Sequence, residues 1–198
     1  MKLSIAVITS LIATASAKSY GLGFENLKAG KIPSQGLSKL GASPPPESFK
    51  EIKYSASWNV VNMKSPLVPD FKPRSGPNVM LNSATPDSDL IGLTRLDTTN
   101  AESVTYKQFY AACLTEIRGK VVPVSCEILT LAKGTDEEYK RFRFNYKASN
   151  KMQVVKLPQP DFSERLSLSF FLESSDAAKD ATVYFALDNF LYTTHPKK

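Results

Sequence analysis

The apolar residues of this chain fall in short runs with a period of two, separated by turn-forming residues. "YSASWNVV" sets Tyr54, Ala56, Trp58 and Val60 against Ser55, Ser57 and Asn59. "YKRFRFNY" puts Phe142, Phe144 and Tyr146 on one side and Arg141, Arg143 and Asn145 on the other. Successive strand side chains point to opposite faces, so this alternation predicts half-buried strands. "YGLGFENL", "NVMLNS", "LIGLTRL", "SVTYKQFYAACLTEI", "VVPVSCEILTL", "MQVVKL", "RLSLSFFLE" and "TVYFALDNFLY" supply the remaining candidates. No amphipathic helical pattern runs beyond a few turns; "SSDAAKDA" allows one short turn. Many short strands at near-regular spacing predict an all-β fold, an antiparallel β-sandwich. Residues 28–48 and 62–77 are rich in Pro, Gly and Ser and predict long loops.

The last run breaks its own pattern. Val183, Phe185 and Leu187 share one face, and Phe190 and Tyr192 share another, one residue out of step. A β-bulge at Asp188-Asn189 would return both sets to one inward face, and Asn tolerates the left-handed backbone that bulges use.

The ends of the chain add a setting. "MKLSIAVITSLIATASA" has a basic Lys2, an apolar run and a small-residue ending. That is the layout of a secretory signal peptide with cleavage after Ala17, too short for a membrane span. The expected organisation is a signal peptide over 1–17, one β-sandwich domain over 18–192 and a short basic tail over 193–198. The formal charge of the whole chain is +6. This scattered excess suits anionic partners, or ordinary solubility. Two cysteines in a secreted chain predict one disulfide, Cys113–Cys126. With a turn centred on Gly119-Lys120 they would face each other across a hairpin. Pro123 disfavours a regular ladder there, and a longer loop closed by the disulfide fits equally well.

"FENL" near the start and "FALDNFLY" near the end are similar to the first and last strands of jelly-roll, carbohydrate-binding-module-like domains. The resemblance implies that these end strands lie side by side. It also implies that Glu25 and Asp188 hold a structural calcium, with Asn26 or Asn189 nearby. The alternative is that Asp188 satisfies backbone groups at the bulge. "GFENLKAGKIPSQ", "SGPNVMLNS", "VPVSC", "FRFNY" and "LDNFLY" together resemble a family of small secreted fungal proteins, some from fungi living on plants. That resemblance implies a β-sandwich and a secreted setting, and it implies no reaction.

The candidate chemistry is sparse. His195, the one histidine, stands in the tail "THPKK", which argues against a Ser-His-Asp triad and against histidine-rich metal sites. The densest acidic run, Asp136-Glu137-Glu138, reads as a solvated turn. Trp58, Tyr54 and Tyr106 could stack on sugar rings or fill the core. Arg141 and Arg143 form a basic stripe that suits an anionic polymer or a plain solvated face. The expectation is a secreted, monomeric, non-enzymatic interaction protein with an effector-like role, whose partner is a host protein. The alternative is a glycan-binding or wall-associated module with Trp58, Arg141 and Arg143 on the ligand. Neither reading involves nucleic acid or stable membrane insertion.

Overall fold

The structure, a computed structural model, describes residues 16–46, 48–55, 58–68, 70–84, 94–98, 101–134, 136–174 and 182–196. The signal peptide, except residues 16–17, and the "SSDAAKDA" turn, except its first residue, lie outside them. The strands are β1 Lys18–Leu22, β2 Gly30–Lys31, β3 Ser48–Phe49, β4 Ile52–Tyr54, β5 Asn59–Asn62, β6 Asn78–Ala84 and β7 Thr94–Thr98. They continue as β8 Ala101–Ile117, β9 Lys120–Pro123, β10 Cys126–Lys133, β11 Tyr139–Tyr146, β12 Gln153–Lys156, β13 Ser167–Ser174 and β14 Val183–Pro196. One sheet has eight strands in the order β12-β8-β14-β6-β5-β2, with β1 on β14 and β9 on β8. The other has six, in the order β11-β10-β13-β7-β4-β3. From β6 onward the chain passes repeatedly from one sheet to the other, the connectivity of a jelly roll. Among the described residues, the named strands all pair antiparallel except β2 with β5.

Between the sheets lies an aromatic core. Phe109 of β8 stands edge-on to Phe170 of β13 at 5.2 Å. Trp58 contacts Phe185 at 5.9 Å and Phe170 at 6.4 Å. Such tilted and edge-to-face pairs add to the burial of large apolar area.

Strand β14 organises the eight-stranded sheet. One side pairs with β8 along its length. The other side pairs with β6 through Val183–Leu187, then with β1 through Phe190–Thr194. The change of partner falls on Asp188-Asn189, where the sequence pattern breaks. β14 carries one extra residue against β8 between Asp188 and Leu191, and β8 returns it between Gln108 and Tyr106. Asn189 takes the left-handed φ of 46°. Phe185 and Phe190 both reach Phe109, so the bulge keeps the inner face continuous. The chain's two end strands are neighbours, as the jelly-roll resemblance implied.

Several boundaries differ from the sequence reading. "YSASWNVV" is two strands in different sheets, β4 and β5, with the amide of Trp58 bonded to the carbonyl of Ser55 at the crossing. The tail expected from residue 193 is strand through Pro196, because Thr193 to His195 pair with β8 and Ser19 meets Thr193. Cys113 and Cys126 form a disulfide, but not across a hairpin. The β8–β9 hairpin pairs Ile117 with Lys120, so its register places Cys113 beside Val124. Cys126 has by then crossed to the six-stranded sheet, so the disulfide joins the two sheets.

The two long loops are not free. Ile32, Leu37, Met63, Val68 and Phe71 are buried in the same hydrophobic cluster as the strands. On β8, Phe109, Ala111 and Cys113 face the core, so Ala112, Leu114 and Glu116 face outward. Ala112 and Leu114 are nevertheless inaccessible to solvent. The amide of Ser38 donates to Glu116, and the amide of Val121 donates to the carbonyl of Leu67. The loops thus lie over the outer side of the eight-stranded sheet and seal much of it.

Replacing both cysteines by alanine is expected to cost about 3 kcal/mol in unfolding free energy, the magnitude for a loop of this length in the chain-entropy model. Urea unfolding of the double variant beside the oxidised wild type checks this.

Candidate functional site

The sequence places its candidate residues in two regions, and the structure separates them by role. In the first, Asp188 is fully buried at the partner change of β14. Its Oδ2 accepts from the backbone amide of Ser75 at 2.8 Å. Its Oδ1 accepts from the Ser75 hydroxyl at 2.9 Å and from the amide of Asn189 at 2.7 Å. Where β1 has ended and β6 has not begun, Asp188 supplies the acceptors that a neighbouring strand would have supplied.

The Glu25 carboxylate packs against Gly23 and Gly76, so closely that a Cβ on either glycine would clash with it. Asn78, at the start of β6, donates its amide to the carbonyls of Phe24, Glu25 and Leu27, each at 3.3 Å. This pins the loop after β1 onto β6. Burial raises the Asp188 carboxyl above the usual aspartate range, and the negative charge of Glu25 adds to that rise. The bonds from Ser75 and Asn189 act the other way. Neither Glu25 nor Asp188 has a cationic partner among the described residues. Hard carboxylate oxygens bearing uncompensated charge are the donors a calcium ion uses.

The second region is the outer side of the six-stranded sheet. On β10, Ile128, Thr130 and Ala132 point inward and are buried. Glu127, Leu129, Leu131 and Lys133 therefore point outward and are half-buried. Cross-strand pairing sets Arg143, Leu129 and Phe171 in one row, and Arg141, Leu131 and Ser169 in the next. Tyr139 heads a third row opposite Lys133 and is 54% exposed. Arg143 pairs with Glu127, whereas Arg141 is exposed without an ion-pair partner among the described residues. The result is an apolar strip of Leu129, Leu131 and Phe171, edged by two guanidiniums and a phenol ring.

Trp58 is not on this face. It is fully buried between Phe170 and Phe185, which removes it from the ligand-binding candidates. Tyr54 and Tyr106 are buried as well. All three rings lie between the sheets, where an alternating strand places its larger apolar residues. Tyr139 was missed by the sequence reading, although its parity with Arg141 and Arg143 in "YKRFRFNY" puts it beside them. Leu129 and Leu131 alternate with Ile128, Thr130 and Ala132, and that continuous run hid which set faces out. His195 lies on β14 with Nε2 2.8 Å from the Thr105 hydroxyl, within the sheet.

No family model matches the chain, and no curated protein matches it. Among solved structures, it is similar to a DUF4465 family protein from Bacteroides ovatus ATCC 8483, with 11% identity and a TM-score of 0.45, covering 90% of this chain and 100% of that one. TmCBM61, solved with beta-1,4-galactotriose, has 10% identity and a TM-score of 0.43, covering 83% and 98%. The K2 cleaved adhesin domain of Lys-gingipain has 15% identity and a TM-score of 0.44, covering 89% and 99%. These are likenesses of outline, and the galactotriose belongs to its own protein.

The buried carboxyl makes stability depend on pH. A carboxyl whose folded pKa is raised contributes stability that is fully present below the ordinary aspartate range and declines as pH rises through the raised value. In Asp188→Asn one of the donors loses its acceptor, at a cost of about 1–3 kcal/mol. The destabilisation of Asp188→Asn relative to wild type is therefore expected to be largest under acid conditions and to shrink towards neutral pH. Urea unfolding of both proteins across that range measures it, and a difference independent of pH would contradict the assignment.

Proposed function

We propose that this is a secreted, non-enzymatic carbohydrate-binding protein that holds its ligand on the outer face of β10, β11 and β13. The observation that carries this reading is the contrast between the two sheets. Loops seal much of the outer side of one, while the other presents half-buried Leu129, Leu131 and Phe171 beside exposed Tyr139, Arg141 and Arg143. Sugar rings have an apolar face and a hydroxyl rim. A flat apolar strip edged with guanidinium donors can meet both at once, with little ordering cost because the side chains stand on strands. The leader layout of residues 1–17 and the disulfide support secretion.

An effector-like role at a host interface draws on the fungal resemblance, together with the signal-peptide layout and a disulfide-linked scaffold carrying long loops. Loops on a rigid scaffold are where such recognition usually lies, but the long loops of this chain are packed down by buried apolar residues, which favours the glycan reading.

A structural calcium is part of the proposal. Glu25 and Asp188 would hold it, neutralising two neighbouring carboxylates and fastening the loop after β1 to the break in β14. Addition of calcium to chelator-treated protein is expected to raise the melting temperature of wild type and not of Glu25→Gln. An unchanged wild-type melting temperature would leave both carboxylates without a metal role.

For the binding face, affinity electrophoresis through galactan, xylan, β-glucan, pectin and chitin derivatives is expected to retard the wild type in at least one polymer. Combined Tyr139→Ala and Arg141→Ala is expected to weaken that binding by about tenfold or more at unchanged melting temperature. Retardation by none of the polymers, or equal retardation of the variant, would overturn this assignment.

A further inference from the structure

A second surface, on the other sheet, differs in kind. The backbone of Lys72 bridges that of Lys151 in parallel, and its amide donates to the carbonyl of Asn150 at 2.8 Å. Two residues on, the Arg74 guanidinium lies 5.2 Å from the centre of the Tyr110 ring. Tyr110 pairs across β8 and β12 with Val154, which is 37% exposed, and Gln108 pairs with Lys156. Val154 and Lys156 are two residues apart on β12 and share its outer side. Lys72, Arg74, Lys151 and Lys156 are all exposed.

None of these four forms an ion pair among the described residues; those pairs are Lys18–Glu51, Lys133–Glu137, Lys140–Glu138 and Arg143–Glu127. The carboxylates near this patch in the chain, in register or in contact are Asp70, Asp188 and Glu25. Asp70 is exposed on the same loop, Glu25 packs against Gly76, and Asp188 is buried and accepts hydrogen bonds from Ser75 and Asn189. Four cations therefore surround a small Tyr110–Val154 platform and outnumber the exposed carboxylates, Asp70 and Glu25.

We infer that this edge of the eight-stranded sheet is a docking surface for an acidic polysaccharide bearing carboxylates on successive sugar residues. The cations are spread rather than focused. At about 3.3 Å per residue, Lys151 and Lys156 are separated by about 16 Å of chain, which suits a linear polymer with spaced single charges rather than one phosphate group. Arg74 covers the Tyr110 ring, so that ring is not open for a base to stack upon, as single-stranded nucleic acid requires. Tyr110 is half-buried and Val154 is a single apolar residue, 37% exposed, which offers far less apolar surface than an interfacial anchor buries in a lipid surface. A pyranose edge can lie against Val154 while its carboxylates meet Lys156 on one side and Lys72, Arg74 and Lys151 on the other.

This surface is independent of the face formed by β10, β11 and β13, and the test keeps them apart. Residues 18–198 are titrated with polygalacturonate at low and physiological salt, with neutral galactan, phosphatidylserine vesicles and single-stranded DNA in parallel. Binding to polygalacturonate is expected to be salt-sensitive. It is expected to fall by about tenfold or more in Lys72→Gln/Lys151→Gln/Lys156→Gln, and to stay within about twofold in Lys28→Gln/Lys39→Gln/Lys120→Gln, a charge-matched change at exposed lysines outside both surfaces. The substituted side chains are exposed, and an unchanged melting temperature confirms that the variants are folded. The inference is overturned if the wild type does not bind polygalacturonate at low salt, or if the triple variant binds it as well as wild type. It is also overturned if vesicles or DNA bind more tightly than polygalacturonate.

Discussion

The fold depends on one strand having two different neighbours along the same edge. β14 is long enough to serve both β6 and β1, but those strands approach from opposite ends and leave a gap at Asp188-Asn189. A gap in a sheet exposes backbone donors and acceptors that a buried position cannot leave unpaired. Here the partner is a side chain. Asp188 takes the Ser75 amide and hydroxyl and the amide of its own neighbour, and so holds the loop before β6 against the break. Asn78 does the reciprocal work, collecting three carbonyls of the segment after β1. Two polar side chains thereby join the start of the chain, its middle and its end. Their interior position makes them costly to alter, because each would leave several groups unsatisfied.

The same arrangement explains what the sequence could and could not reveal. The parity conflict between Phe185 and Phe190 is local, so the bulge was legible from spacing alone. The side-by-side end strands were legible only through resemblance, since pairing between residues near 20 and near 192 leaves no local mark. "YSASWNVV" was misread as one strand because its alternation survives the crossing between sheets. Tyr54 and Trp58 both point into the shared core from different sheets, so period alone cannot show the break between them. The disulfide partners were legible from their number, but their geometry was not. A hairpin and an inter-sheet link use the same pair, and only the β8–β9 register distinguishes them.

The packing of the loops is the feature least visible in the sequence, and the reason is physical. Pro, Gly and Ser mark irregular backbone, which commonly runs free over the surface. Irregular backbone can still be anchored, and Ile32, Leu37, Val68 and Phe71 are spaced through these segments to do so. The sheet beneath them has apolar residues on both sides, Ala111 and Cys113 inward and Ala112 and Leu114 outward, so it needs a cover. A strand buried on both faces reads as a continuous apolar run, and "YAACL" is such a run. The cover could have been anticipated from that.

Sealing one sheet constrains where recognition can occur. With the loops used as lining, accessible side chains in ordered positions remain on the outer face of the other sheet and along the exposed edge at β12. The first surface is built on strands, and at the second a backbone bridge fixes Lys72 to Lys151 beside β12, so the backbone carrying these side chains is placed before a ligand arrives and less entropy is lost on binding. They differ in what they can discriminate. The face of β10, β11 and β13 offers an apolar strip with one of its two guanidiniums already engaged by Glu127, so shape and hydroxyl pattern must dominate there. The edge at β12 offers four cations that outnumber the exposed carboxylates beside them, so charge density must dominate. A polymer with both a regular apolar ring face and regular carboxylates could satisfy either surface, but its response to salt would differ between them. Screening acts on the dispersed exposed charges at β12 and leaves apolar contact with Leu129, Leu131 and Phe171 largely intact.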